Sequence, residues 1–309
     1  MQEKIGNITL DYTYYPGRDI YTDGPIEDEL LEIAKTYDED ELNRVIADKK
    51  SWPVLYHFSH VRKNILEWVP FTEKDSVLEL GSGCGAVTGA IAGKAGQVTC
   101  IDLSRKRSYV NAYRNRNYDN INILVGNFQD IEKNSIEKYD YVTLIGVFEY
   151  SAGYISSDNP YVDILKRIET HLKPDGKILI AIENRLGLKY WAGCSEDHTG
   201  MFFEGLENYP RTRGERARTF SKKELENVIE EAGDYKTTFY YPYPDYKFPL
   251  SIYSDSYLPK KGELTVSAEN YDRPRMRLFD EAKVADTIVE NDLFPQFSNS
   301  FLVLVERRS

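Results

Sequence analysis

The chain has 309 residues, 41% of them hydrophobic, enough for one large domain carrying a substantial cap. Its formal net charge of −11 excludes a nucleic-acid partner as the default, because a surface of that sign repels phosphate backbones. The start of the chain lacks the charged and apolar runs of a signal peptide, and no apolar stretch is long enough to span a membrane, so a cytoplasmic protein is expected. The three cysteines, Cys84, Cys100 and Cys194, form no Cys-x-x-Cys pair, which argues against a zinc site or a disulfide framework.

Residues 1–50 show little periodicity and are expected to form an N-terminal cap; residues 51–309 then form one domain, with insertions at 185–218 and 242–298. The stretch WPVLYHFSHVRKNILEW (52–68) reads as a helix. After it, SVLEL (76–80), QVTCID (97–102) and INILVG (121–126) read as strands. The helix between the first two places Val87 and Ile91 on one face, and Ser104 is placed to cap the helix between the second and third. YDYVTLIGVF (139–148) is a fourth strand; a helix over 161–172 and the turn signal KPDG lead to a fifth, KILIAIE (177–183). SKKELENVIEEAG (221–233) is a helix with a serine cap and a terminal glycine, followed by strands at 236–243 and 300–308 that could pair at the sheet edge. Strands separated by crossover helices imply a parallel sheet covered on both faces.

The most informative segment is LELGSGCGA, where Gly81, Gly83 and Gly85 lie between a strand and a helix. Such a turn lets backbone N–H groups approach a ligand at the positive end of a helix. The letters alone also satisfy a dinucleotide fingerprint, with Asp102 as its ribose acid. In their order along the chain, however, Glu79, the three glycines, Asp102, VGNFQDI, YDYVTLIGVFEY and LKPDGKILIAIEN resemble the class I S-adenosylmethionine-dependent methyltransferases. The resemblance implies a Rossmann-like, doubly wound, mostly parallel seven-stranded sheet with an antiparallel last strand. The N-terminal segment and the insertions would form a substrate cap. By position it implies that Glu79, Gly81, Gly83, Gly85, Asp102 and Leu103 bind S-adenosylmethionine, with Asp102 receiving both ribose hydroxyls. For the adenine amine the sequence offers Asn127, with Asp130 as a competitor, and Phe128 either flanks the adenine or packs in the core. Tyr56, His57 and Arg62 could face the methionine carboxylate, with Arg62 as its charge partner.

On the acceptor side, the basic run SRKRSYVNAYRNR reads as a solvated helix face. Glu149 and Tyr150 end the fourth strand, where open α/β sheets place ligands. Residues 185–218, too long for a simple connection, are expected to close over the sulfonium. With Glu183 and Asn184 just before them, they gather carboxylates, Trp191 and His198. Acids and an imidazole beside flat aromatic faces suit a sugar, and these segments look similar to bacterial methyltransferases of cell-surface polysaccharide synthesis. The expected reaction is O-methylation of a sugar, sugar nucleotide or glycan without a metal. His198, neutral at pH 7, is the first candidate base, followed by Glu149 and Glu183. The rivals are an N-methyltransferase of a small amine or protein, a non-catalytic S-adenosylmethionine-binding protein, and a nicotinamide oxidoreductase.

Overall fold

A computed structural model describes residues 1–270, 272–273 and 275–308. Tyr271 and Pro274, inside the expected insertion at 242–298, and Ser309 lie outside the described residues. The backbone forms two compact units, one of residues 1–145 and 170–177, the other of 146–169 and 178–309.

In the first unit, β3 (Ser76–Leu80), β4 (Gln97–Asp102), β5 (Ile121–Val125) and β6 (Tyr139–Ile145) pair in parallel in the order β5-β4-β3-β6. Val77, Leu78, Leu80, Val98, Cys100, Ile121, Ile123, Val142 and Leu144 are buried, as expected of parallel strands covered on both faces. The expected N-terminal cap contains a hairpin, β1 (Gln2–Ile5) and β2 (Ile8–Asp11), whose second strand adds to β5 in parallel with Thr9 opposite Asn122. Ile8 and Leu10 are fully buried there. Behind the hairpin, the amphipathic helices Ile26–Thr36 and Leu42–Lys49 pack Leu30, Ile33, Leu42 and Val45 against Val54, Phe58 and Val110.

Two expectations for this unit need correction. Residues 52–68 are not one helix but three short pieces, Trp52–Phe58, a 3₁₀ turn His60–Lys63 and Asn64–Glu67. Ser59 breaks the run: its backbone is extended and its Oγ accepts from Val61 N, so the side chain starts a new turn instead of continuing the old one. The KPDG segment is not a turn, for β7 runs from Leu172 to Glu183 and includes it. Lys173 reaches Asp140 at 2.6 Å, and Tyr139 N donates to His171 O, which keeps the backbone extended through the proline.

In the second unit the order is β7-β10-β8-β9, with β8 (Tyr235–Tyr243), β9 (Ser251–Ser254) and β10 (Ser300–Arg307). β10 pairs antiparallel with β8, Leu302 opposite Tyr240 and Glu306 opposite Lys236, as the final apolar run predicted. Ile178 to Ile182 of β7 and Phe301, Leu302, Val303 and Val305 of β10 form the buried apolar centre. The helix Lys222–Ala232 starts with a reciprocal capping box between Ser221 and Glu224. The insertions are not featureless: 185–218 holds a short helix Leu188–Trp191 and tight turns, and 242–298 holds β9 and the helices Glu281–Glu290 and Phe294–Phe297. The fold is thus Rossmann-like α/β, mostly parallel, with antiparallel C-terminal strands; three strands join the expected seven among the described residues. No helix among these residues is long and apolar enough to cross a membrane.

Candidate functional site

The glycine turn lies in the first unit between β3 and the helix Thr88–Ala92, and Gly81, Gly83 and Gly85 all have positive φ, at 64°, 52° and 73°. At Gly85 a Cβ would stand 2.4 Å from Asn111 Oδ1, so both conformation and space demand glycine. Gly83 N donates to Asp102 Oδ2 at 2.8 Å, and Ser104 N donates to Asp102 Oδ1 at 2.8 Å. Each carboxylate oxygen therefore spends one lone pair on the backbone and keeps another for a ligand, a pair of acceptors that fits two donating ribose hydroxyls. Burial pushes the Asp102 carboxyl above its ordinary value, against the opposing pull of Arg107 and the two amides.

Of the other expected cofactor residues, Glu79 turns into the core. Its carboxylate accepts from Thr88 Oγ1 at 2.7 Å and Cys100 Sγ at 3.4 Å, and burial lifts its pKa to about 7. Leu103 is half-buried. Asn127 caps the short helix Phe128–Ile131, its carbonyl oxygen accepting from Gln129 N, and Phe128 is buried with its ring edge-on to His171. Tyr56 and Arg62 come together, the buried guanidinium lying 4.3 Å from the ring centroid. His57 packs edge-on to Tyr56 and faces Asp23 at 3.7 Å; burial lowers its pKa to about 4, so it is neutral.

The sequence reading missed a second layer on this end. Two arginines of the basic run point inward, contrary to the solvated face expected of it. Arg107 lays its guanidinium on Gly83, where a Cβ would meet Nη2 at 2.9 Å. Arg114, with its side chain 1% exposed, pairs with Glu39 and donates to His57 O at 2.6 Å. The seven-residue spacing of Arg107 and Arg114, with Val110 and Asn111 between them on the same helical face, is the signal that could have found them. The N-terminal segment completes the layer: Asp19 accepts from Arg105 N at 2.6 Å and Ser104 Oγ at 3.1 Å, and Tyr21 lies 4.9 Å from the Arg107 guanidinium.

In the second unit the three expected catalytic residues form a group. Glu183, fully buried at the end of β7, accepts from Lys247 Nζ at 2.6 Å through Oε1, and its Oε2 lies 3.5 Å from His198 Nε2. His198 Nδ1 is 2.9 Å from the Tyr150 hydroxyl. Glu149 is 1% exposed. Burial alone would lower the His198 pKa, but Glu183 leads a set of carboxylates that raises it to about 9. Facing these carboxylates alone, the imidazole favours its protonated form at pH 7, whereas the sequence suggested a neutral ring. For Glu183, burial opposes charge, yet Lys247 and His198 hold the carboxyl far below its usual range; Glu149, buried beside it, rises to about 8. Behind this group Lys189 pairs with Asp197 at 2.9 Å and Asp245 at 2.8 Å, and Lys247 reaches Asp197 at 2.6 Å. Neither lysine nor Asp245 was singled out from the sequence. Asn184 anchors the start of the insertion by donating to Gln296 O and Ser298 O.

Residues 78–178 match the methyltransferase domain family. The chain is 32% identical over 132 residues to protein-L-isoaspartate O-methyltransferase 2 of Archaeoglobus fulgidus, covering 40% of this chain and 52% of that protein. It is 29% identical over 101 residues to ribosomal RNA small subunit methyltransferase A of Syntrophus aciditrophicus, with 33% of each covered. The chain thus spans about half or less of the length of these curated relatives. Among solved structures it is similar to a SAM-dependent methyltransferase from Archaeoglobus fulgidus, with a TM-score of 0.49, 14% identity, and 83% of this chain and 100% of that one covered. A phosphoethanolamine N-methyltransferase 1 of Haemonchus contortus gives a TM-score of 0.48 at 14% identity, covering 94% of this chain and 50% of that one. The matched stretch holds the glycine turn, Asp102, most of β3 and all of β4 to β6.

Proposed function

We propose that the protein is an S-adenosylmethionine-dependent methyltransferase acting on an oxygen of a sugar, sugar nucleotide or glycan. The observation that carries the cofactor is Asp102, buried at the end of β4 with one lone pair on each oxygen left over, beside a glycine turn inside the matched domain. Asp102 binds the ribose hydroxyls, Gly81 and Gly83 lie against the methionine part, Asn127 and Phe128 lie at the adenine end, and Arg62 neutralises the carboxylate. When bound, S-adenosylmethionine supplies a methyl group on a sulfonium leaving group. The rate gain in such a displacement comes chiefly from alignment.

The acceptor class rests on the second unit, where Glu149, Glu183 and His198 form a buried polar group suited to a hydroxyl, with Tyr150 and Tyr246 supplying further hydroxyls. Calorimetry with S-adenosylhomocysteine tests the cofactor. Binding is expected, with Asp102→Ala weakening it by roughly 1.5–3 kcal/mol, the range of a hydrogen bond to a charged group. Tight NAD binding with none for S-adenosylhomocysteine would overturn the assignment. Radiolabelled methyl transfer across a panel of sugar nucleotides, glycans, amines and proteins tests the acceptor, and label entering only amines or proteins sinks the sugar reading.

A further inference from the structure

We infer that Glu149, Glu183 and His198 bind one divalent transition-metal cation, of the Mn²⁺ or Zn²⁺ type. This departs from the metal-free reaction expected of the sequence, and it stands or falls independently of the methyl-transfer reading.

One ligand-type atom from each of the three residues lies within 4.8 Å of the other two. Glu149 Oε2, Glu183 Oε2 and His198 Nε2 are each closed off from solvent; Glu149 Oε2 has no hydrogen-bond partner, and Glu183 Oε2 and His198 Nε2 have only each other, at 3.5 Å and without a well-formed hydrogen bond. The side chains themselves are at least nine-tenths buried, Glu183 completely. A single buried polar atom left without a partner costs about 1–3 kcal/mol, and more when it is charged. Glu149 carries that cost outright, and the Glu183–His198 pair holds together only with a proton on the imidazole; a cation among the three side chains takes the place of that proton and satisfies the Glu149 carboxylate as well.

In Glu183 and His198 the other side-chain atoms are already engaged, which aims the remaining ones. Glu183 Oε1 is held by Lys247 Nζ at 2.6 Å and faces the Tyr246 hydroxyl at 3.4 Å, leaving Oε2 to point at His198. His198 Nδ1 meets the Tyr150 hydroxyl at 2.9 Å, and the backbone N–H of His198 donates to Glu196 Oε2 at 3.0 Å. A ring nitrogen fixed by an outer partner while the other faces a cation is the usual arrangement of a metal-binding histidine.

Charge points the same way. Glu149, Glu183, Glu196, Asp197 and Asp245 are five carboxylates in or behind this group, set against the ammonium groups of Lys189 and Lys247 and the His198 imidazole, whose proton a bound cation would replace. Lys247 cannot serve in place of a metal, because it is held between Glu183 Oε1 and Asp197 Oδ1, on the other oxygen of Glu183. Two carboxylate oxygens and one imidazole nitrogen suit a first-row divalent ion better than Ca²⁺ or Mg²⁺, which favour all-oxygen shells.

The test uses the full chain, stripped with a chelator and titrated with MnCl₂ while the electron paramagnetic resonance signal of free Mn²⁺ is followed. One Mn²⁺ per chain is expected, with Kd on the order of micromolar. Glu149→Gln, nearly isosteric, and His198→Ala should each weaken binding by about tenfold or more; circular dichroism checks their fold. Tyr150→Phe leaves all three ligands in place and should also weaken it, by about 10- to 100-fold, the usual effect of removing a histidine's outer partner. S-adenosylhomocysteine affinity, measured on the same samples, reports the glycine turn separately and should not change. No loss of the free Mn²⁺ signal at roughly millimolar metal, or binding left intact by Glu149→Gln and His198→Ala, would overturn the site.

Discussion

Two buried groups near the glycine turn titrate against each other. His57 has a folded pKa of about 4 against an ordinary 6.5, so the unfolded chain binds the extra proton and stability is lost as pH falls from 6.5 towards 4. Glu79 runs the other way: its folded pKa is about 7 against 4.5, so its contribution is complete below 4.5 and is lost as pH rises to 7. Between pH 4.5 and 6.5 the two slopes oppose each other. Glu79→Gln keeps an oxygen for Thr88 and Cys100 to donate to, and it removes only the second slope. Urea unfolding should therefore find the variant close to the parent at pH 5 and more stable at pH 8, by up to about 3 kcal/mol. An equal offset at both pH values would show that Glu79 stays charged throughout. The glycines and Asp102 were legible because a strand-end acid and a glycine turn have few other uses. Lys247 and Asp245 were not, since a lysine and an aspartate in a loop look solvated until the fold buries them around Asp197 and Lys189.

Among the elements, the periodic ones were read to within a residue or two: β3, β4, β5 and the helix Lys222–Ala232 all begin where their apolar pattern and caps place them. Segments whose order depends on partners distant in sequence were not. β2 carries only four residues, too short for its alternation to stand out, and it becomes a strand because β5 is there to receive it. The same holds for residues 12–24, which have no repeating pattern yet are fixed at several points. Asp19 caps the helix Arg105–Arg114 together with Ser104, Tyr21 lies on Arg107, and Asp23 faces His57. Asp19→Ala should cost about 1 kcal/mol, the typical worth of a helix cap. Hydrogen exchange should then speed up in residues 12–24 and in the first turn of that helix, while β7 and β10 keep their protection. Unchanged exchange in residues 12–24 would mean that Tyr21 and Asp23 hold the segment without it.

For the molecule as a whole, charge is the property that separates acceptor classes. One curated relative is a ribosomal RNA methyltransferase, but the likeness covers only a third of the chain, and the net charge here is −11. Filter binding at physiological salt should retain no structured RNA at protein concentrations up to roughly 10 µM, because a surface of this sign gains nothing from counterion release. Retention that falls steeply with added salt would reveal a local basic surface that the mean conceals. The alternation of strand and helix, and so the fold class, was plain from period and caps alone; the division into two units was not, because no change of composition marks it. The strand order has a further consequence in time. Residues 300–307 lie between β7 and β8, although β8 leaves the ribosome about 60 residues before them. At ~5–20 residues per second, β8 waits several seconds with its inner edge bare. Edge pairing with another nascent chain competes with folding throughout that interval, and the hazard ends only when β10 arrives to fill the gap.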